Sequence, residues 1–163
     1  EVVFPDENHL TKMEKLLLQE IVQLPVLLNH ENMNEILALV SNDEVKKYIG
    51  KIRKIILEVD DNEYESVVLN LTNNENYSFD LREAVSSAFF NYKPKEIDPK
   101  KIKRMIFDLG IKLENEKLKL KKESITRRQK TCTSELEMTN ILKELQEVLK
   151  EMQELKNKKA PKL

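Results

Sequence analysis

Nucleophilic or metal chemistry needs particular side chains brought within bonding distance, and this sequence holds few of them. The two histidines, His9 and His30, stand far apart, and the single cysteine, Cys132, has no histidine near it in the chain. This arrangement lacks the spacing of a zinc site and of a Cys/His nucleophile. Carboxylates cluster in "EVDDNEYE", Glu58 to Glu65, but they fall on a predicted helix end and connection, where acids are ordinarily solvated rather than metal-bound. With two glycines in 163 residues, no phosphate-cradling loop is expected. The residues therefore point away from an enzyme, and no metal or cofactor is expected.

A lone cysteine cannot close an internal disulfide, which suits a reducing compartment, so a cytoplasmic protein is expected. The sequons "NLT" at Asn70 and "NYS" at Asn76 match the glycosylation pattern but would stay unmodified there. No apolar run approaches the roughly 20 residues that span a bilayer, so no membrane partner is expected. The sequence begins at Glu1 rather than Met, which suggests a piece of a larger protein.

Charge is unevenly distributed. Residues 1–111 hold 14 basic and 20 acidic side chains, net −6, whereas residues 112–163 hold 14 and 9, net +5. The densest basic run is "KLKLKKESITRRQK", Lys117 to Lys130, which could attract phosphates. No aromatic side chain interleaves with it to stack on bases, so a solvated helix face is the commoner explanation.

Helix punctuation is clear. "TKME" (Thr11 to Glu14), "SNDE" (Ser41 to Glu44) and "SELE" (Ser134 to Glu137) each fit a capping box, in which a hydroxyl and an acid three residues later satisfy orphan backbone donors. Asp98 followed by Pro99 offers a fourth start, because proline at the first helical position gives up no needed N–H. Between these signals apolar residues recur every three or four positions: Met13, Leu17, Ile21 and Leu24 with Leu16 and Leu18, then Met33, Ile36, Leu37 and Val40. Val45, Tyr48, Ile49, Ile52, Ile55 and Ile56 continue the pattern, followed by Tyr64, Val67, Val68 and Leu71, and by Leu81, Ala84, Val85, Ala88 and Phe89. This periodicity is helical. The first 97 residues read as a compact bundle of about five or six short helices.

From Asp98 to about Lys130 only Gly110 interrupts helix formers, and its cost is about 1 kcal/mol relative to alanine. A helix of that length would be roughly 50 Å long. Ile102, Met105, Ile106 and Leu109 could seat its first third in the bundle. Beyond Gly110, a candidate hinge, the stripe fails: Ile111, Leu118 and Ile125 fall on one side, Leu113 and Leu120 on nearly the opposite one. After a break at "TCT" the last helix carries Met138, Ile141, Leu142, Leu145, Val148, Leu149, Met152 and Leu155 on an arc of about 140°. Alternating spacings of four and three along Ile141, Leu145, Val148, Met152 and Leu155 follow the rule for a coiled-coil seam. The expectation is an all-α fold: a bundle over 1–110, a long connecting helix, and an antiparallel C-terminal helical hairpin over 111–163. The last helix has more apolar surface than its neighbour can cover, and the remainder should meet another chain.

"LTKMEKLLLQEIVQLP", Leu10 to Pro25, resembles the opening helix of the C-terminal helicase-binding domain of bacterial DNA primases of the DnaG type. "SELEMTNILKELQEVLKEMQELK", Ser134 to Lys156, is similar to that domain's terminal helix, and the order of parts matches across nearly the whole chain. The tail "NKKAPKL" runs past Leu155 further than that pattern. The resemblance implies a non-catalytic docking domain that joins primase to the N-terminal domains of the hexameric replicative DNA helicase, touching nucleic acid only indirectly. Primer synthesis would reside in upstream domains of the parent primase. Carried over by position, Leu142, Leu145, Val148, Leu149, Met152 and Leu155 are the candidates for helicase contact. Charges beside them, Lys143, Glu144, Glu147, Lys150 and Glu151, would set orientation, with Arg127 and Arg128 as further electrostatic candidates. Two competing readings are a homodimer zipped through the hairpin and a nucleic-acid-binding module on the Lys117 to Lys130 arm.

Overall fold

A computed structural model describes residues 9–74, 76–90, 92 and 98–158, and those residues are all-α, as the periodicity requires. Seven α-helices follow in chain order: Lys12–Gln23 (α1), Met33–Ala38 (α2), Asp43–Glu58 (α3), Asp61–Asn74 (α4), Phe79–Phe89 (α5), Pro99–Thr131 (α6) and Glu135–Lys156 (α7). A 3-10 helix, Pro25–Asn29, sits between α1 and α2, with Pro25 at its first position. Proline ends α1 because it lacks the N–H that the next turn would need.

The helix starts hold with one exception, and among the described residues the reciprocal box itself is complete only at α1. At α1 the box is complete: Thr11 accepts from the Glu14 N–H, and the Glu14 carboxylate accepts from the Thr11 N–H. Asp98 caps α6 from its side chain, and Ser134 caps α7 by accepting from the Glu137 N–H. At α3 the expected Ser41 box is displaced by one residue, because Asn42 is the N-cap and accepts from the Val45 N–H. The acid meant for that box, Glu44, serves a more distant site instead. It accepts from the backbone N–H and the hydroxyl of Ser78 and so ties α3 to the start of α5.

One large apolar cluster fills the bundle, running from Leu17, Leu18, Ile21 and Val22 of α1 through Tyr48, Ile49 and Ile52 of α3 to Leu81, Val85 and Phe89 of α5. Ile106, Leu109 and Leu113 of α6 belong to the same cluster. The buried line of α1 lies on Leu17, Leu18, Ile21 and Val22, while Met13 is only half-buried. The hydroxyls of Tyr48, Tyr64 and Thr72 inside the bundle are paired, as burial demands. The Tyr64 hydroxyl donates to the Val22 carbonyl at 3.0 Å. Thr72 donates to the Val68 carbonyl at 2.6 Å, which leaves its oxygen to accept from Tyr48 at 2.8 Å. Thr72 is the hydroxyl residue of the first sequon, and it is spent in the core.

The expected long helix forms without a break through Gly110. Its two-sided apolar pattern, read from sequence as a failed stripe, has a physical cause. Leu113 faces the bundle, while Ile125 faces α7 in a second cluster with Ile141 and Val148, flanked by Cys132, Leu145 and Met152. Leu118 is buried too and shares a small cleft with Leu155. One helix thus forms a wall of two cores. Helix α7 runs back along α6 to make the expected hairpin, and among the described residues no helix is long and apolar enough to cross a membrane.

Candidate functional site

The hairpin seam follows a seven-residue repeat on both helices. Leu118 and Ile125 of α6 face Ile141, Val148 and Leu155 of α7, all of them buried. Repeats of this kind keep two helices in register along a common line. At the end nearest the turn the seam is closed on one side by a salt bridge between Arg128 and Glu144.

That salt bridge fixes which side of the hairpin is which. Arg128 follows Ile125 by three residues and Glu144 follows Ile141 by three, so at about 100° per residue both stand roughly 60° to the same side of the seam. In an antiparallel pair, equal rotations on the two helices share one side of the contact. Leu142 and Leu149 each follow a seam residue by one, as do Lys119 and Thr126 of α6. A step of one residue turns about 100° the other way, so these four stand on the side opposite the salt bridge. The hairpin therefore has a closed ionic side and an open side, the latter with leucines on α7 and cations on α6.

The six candidate contact residues divide accordingly. Val148 and Leu155 are buried against α6, so they hold the hairpin together and present little surface. Leu145 and Met152 are half-buried beside the seam. Leu142 and Leu149 are 42% and 45% exposed, and Leu136 near the turn is 74% exposed. The open side is thus a ridge of Leu142 and Leu149, seven residues apart, backed by Leu145 and Met152. Of the charged candidates, Lys143, Lys150 and Arg127 are exposed, while Arg128 is engaged by Glu144.

Two further exposed apolar side chains went unassigned in the sequence. Phe79, the first residue of α5, and Phe90, its C-cap, stand eleven residues apart and both are exposed, as is Leu57 at the end of α3. A count at about 100° per residue puts Phe79 and Phe90 within roughly 20° of one another. The adjacent Phe89 is the one that enters the core, where it packs edge-on to Tyr92 at 5.2 Å. The "FF" pair is visible in the sequence, but two successive helical residues stand about 100° apart, and only the neighbouring helices decide that Phe89 is buried and Phe90 is not.

The histidines and acids are used structurally. His9 donates from Nδ1 to Asp80 at 3.0 Å, and Asp80 also accepts from the Leu10 N–H and lies 3.8 Å from the Lys15 ammonium. The hydrogen bond from His9 is the main cause holding the Asp80 carboxyl below its ordinary range. His30 accepts from the Asn32 N–H through Nδ1. Burial pushes the Tyr48 and Tyr64 hydroxyls well above their ordinary range, so both act as neutral donors. Among the described residues no group of three or more His, Cys, Asp or Glu side chains gathers as metal ligands would.

A cleft of about 490 Å³ separates α2 from α6, floored by Ile36, Leu39, Ile106 and Phe107 around Gly110. Lys158, just beyond α7, reaches its rim. No family model, no curated protein and no solved structure matches the chain.

Proposed function

We propose that this chain is a non-catalytic docking domain of a bacterial replicative primase, which seats its terminal hairpin on the N-terminal domains of the hexameric replicative helicase. Primer synthesis is thereby coupled to fork unwinding. The observation that carries the docking reading is the ridge of Leu142 and Leu149, left in solvent after the hairpin has closed through Ile141, Val148 and Leu155. A leucine ridge beside a preformed seam can be desolvated by a partner without unfolding anything, which removes much of the ordering cost of binding. The primase and helicase identities rest on the sequence resemblance of Leu10 to Pro25 and Ser134 to Lys156.

The test is capture by the N-terminal domains of the helicase from the same organism. Leu149→Ala is expected to weaken capture by about 1 to 3 kcal/mol, the range for a buried anchor, with the helical circular dichroism unchanged. Unchanged binding with intact helicity would sink the assignment. Sedimentation at micromolar concentration separates the competing homodimer, which would be a stable dimer that dissociates on Leu142→Asp.

A further inference from the structure

The outer face of α6 carries cations that no described residue pairs with. An open furrow there is lined by Lys119, Lys122, Glu123, Thr126, Arg127 and Lys130. Lys119, Lys122, Arg127 and Lys130 are all exposed, and among the described residues none has a salt bridge or a side-chain hydrogen bond. Arg128, which does have a partner, points to the opposite side of the hairpin. From Lys119 the furrow advances to Lys122, Thr126 and Lys130 by steps of three and four residues. Each step is about 4.5 to 6 Å along the axis, so donors recur in a line rather than in a cluster. Residues 117–130 hold seven basic side chains and one acidic, Glu123, within a chain whose net charge is −1.

We propose that this strip binds the phosphodiester backbone of single-stranded nucleic acid, independently of the docking reading. The choice of ligand follows from what the strip lacks. It has no apolar or aromatic side chain, and exposed charges alone add little affinity to a protein–protein contact, acting chiefly on its rate of formation. A polyanion is different, because each phosphate neutralised by a lysine or arginine releases condensed counterions and so yields affinity from charge alone. A linear array of donors also suits a linear chain of phosphates, with the Thr126 hydroxyl as a further donor. Contacts to phosphates alone carry no sequence information, so the binding is indifferent to sequence. The net −6 carried by residues 1–111 repels the same ligand and confines it to the outer half of α6.

The measurement is fluorescence anisotropy of a labelled oligothymidylate with the whole chain over a salt series. Three to four phosphate contacts predict a slope near −0.7 per contact, hence roughly a 20- to 50-fold loss of affinity between 50 and 200 mM salt. Lys119→Gln/Lys122→Gln/Lys130→Gln is expected to weaken binding at least tenfold and to flatten the salt slope by about 2. Leu142→Ala/Leu149→Ala, which truncates the docking ridge without adding charge to the side it shares with Lys119, is expected to leave oligonucleotide binding unchanged. Absence of binding at 50 mM salt, equal binding by the lysine variant, or loss of binding in the leucine variant would each overturn the proposal. Binding to phosphatidylserine vesicles but not to the oligonucleotide would overturn it as well.

Discussion

At the scale of single residues, four carboxylates fasten the pole of the bundle where α1, α3 and α5 begin. Glu14 is 4% exposed, yet its two oxygens accept from the N–H groups of Thr11 and Asn42, at 3.0 and 3.2 Å. Glu116 accepts from the Met13 N–H, Glu44 from Ser78, and Asp80 from Leu10 and His9. Helix N-termini expose unpaired donors and positive dipole ends, so carboxylates are well placed there. Glu14→Ala strands two part-buried donors and is expected to cost about 2 to 4 kcal/mol of stability, measured by urea unfolding. Asp80 has a depressed pKa, so its contribution is present above the ordinary value of 3.8 and is lost as pH falls below it. Asp80→Asn should therefore lower stability at neutral pH and flatten the acid limb of the stability curve below about pH 4. Within this network only the Thr11 to Glu14 box was legible in the sequence, because it is local. The links from Glu14 to Asn42 and from Glu44 to Ser78 join residues 28 and 34 apart, a distance over which periodicity and capping rules carry no information.

At the scale of elements, α6 is the piece whose reading changed most. Its length, its start at Asp98 and its passage through Gly110 were readable from propensity and punctuation. Its apolar pattern was not, because a helix that serves two cores on opposite sides looks like one with no face at all. Leu113 belongs to the first core and Ile125 to the second. The wide stripe of α7 was legible, yet its division into seam and ridge was not, since Val148 and Leu149 look alike until the neighbouring helix is in place. Gly110 offers a direct check on the stiffness of α6. A Cβ added there meets only Ile36, at 3.9 Å, which is ordinary contact. Gly110→Ala is thus expected to raise stability by about 0.5 to 1 kcal/mol, seen as a higher midpoint in thermal denaturation. Val148→Asp places an unpaired charge in the seam and should speed hydrogen exchange across Glu135–Lys156 while the amides of α1, α3 and α5 stay protected.

For the whole molecule, the bundle core draws on α1 to α6 and includes no residue of α7. Removing residues 132–163 is therefore expected to leave a bundle that still unfolds cooperatively, with a lower midpoint because Ile125 and Leu118 lose their cover; thermal circular dichroism decides this. The opposite net charges of residues 1–111 and 112–163 add a separation of fields to the separation of cores. Under the docking reading, capture through Leu142 and Leu149 leaves the acidic bundle projecting from the partner.

The unbroken run of α6 gives that arrangement a mechanical meaning. A helix of 33 residues is a rod of roughly 50 Å, held at one end by Ile106 and Leu109 and gripped at the other by α7. A load applied at the hairpin tip near Cys132 would reach the bundle as torque on those seated residues, with α2 beside Gly110 as the fulcrum.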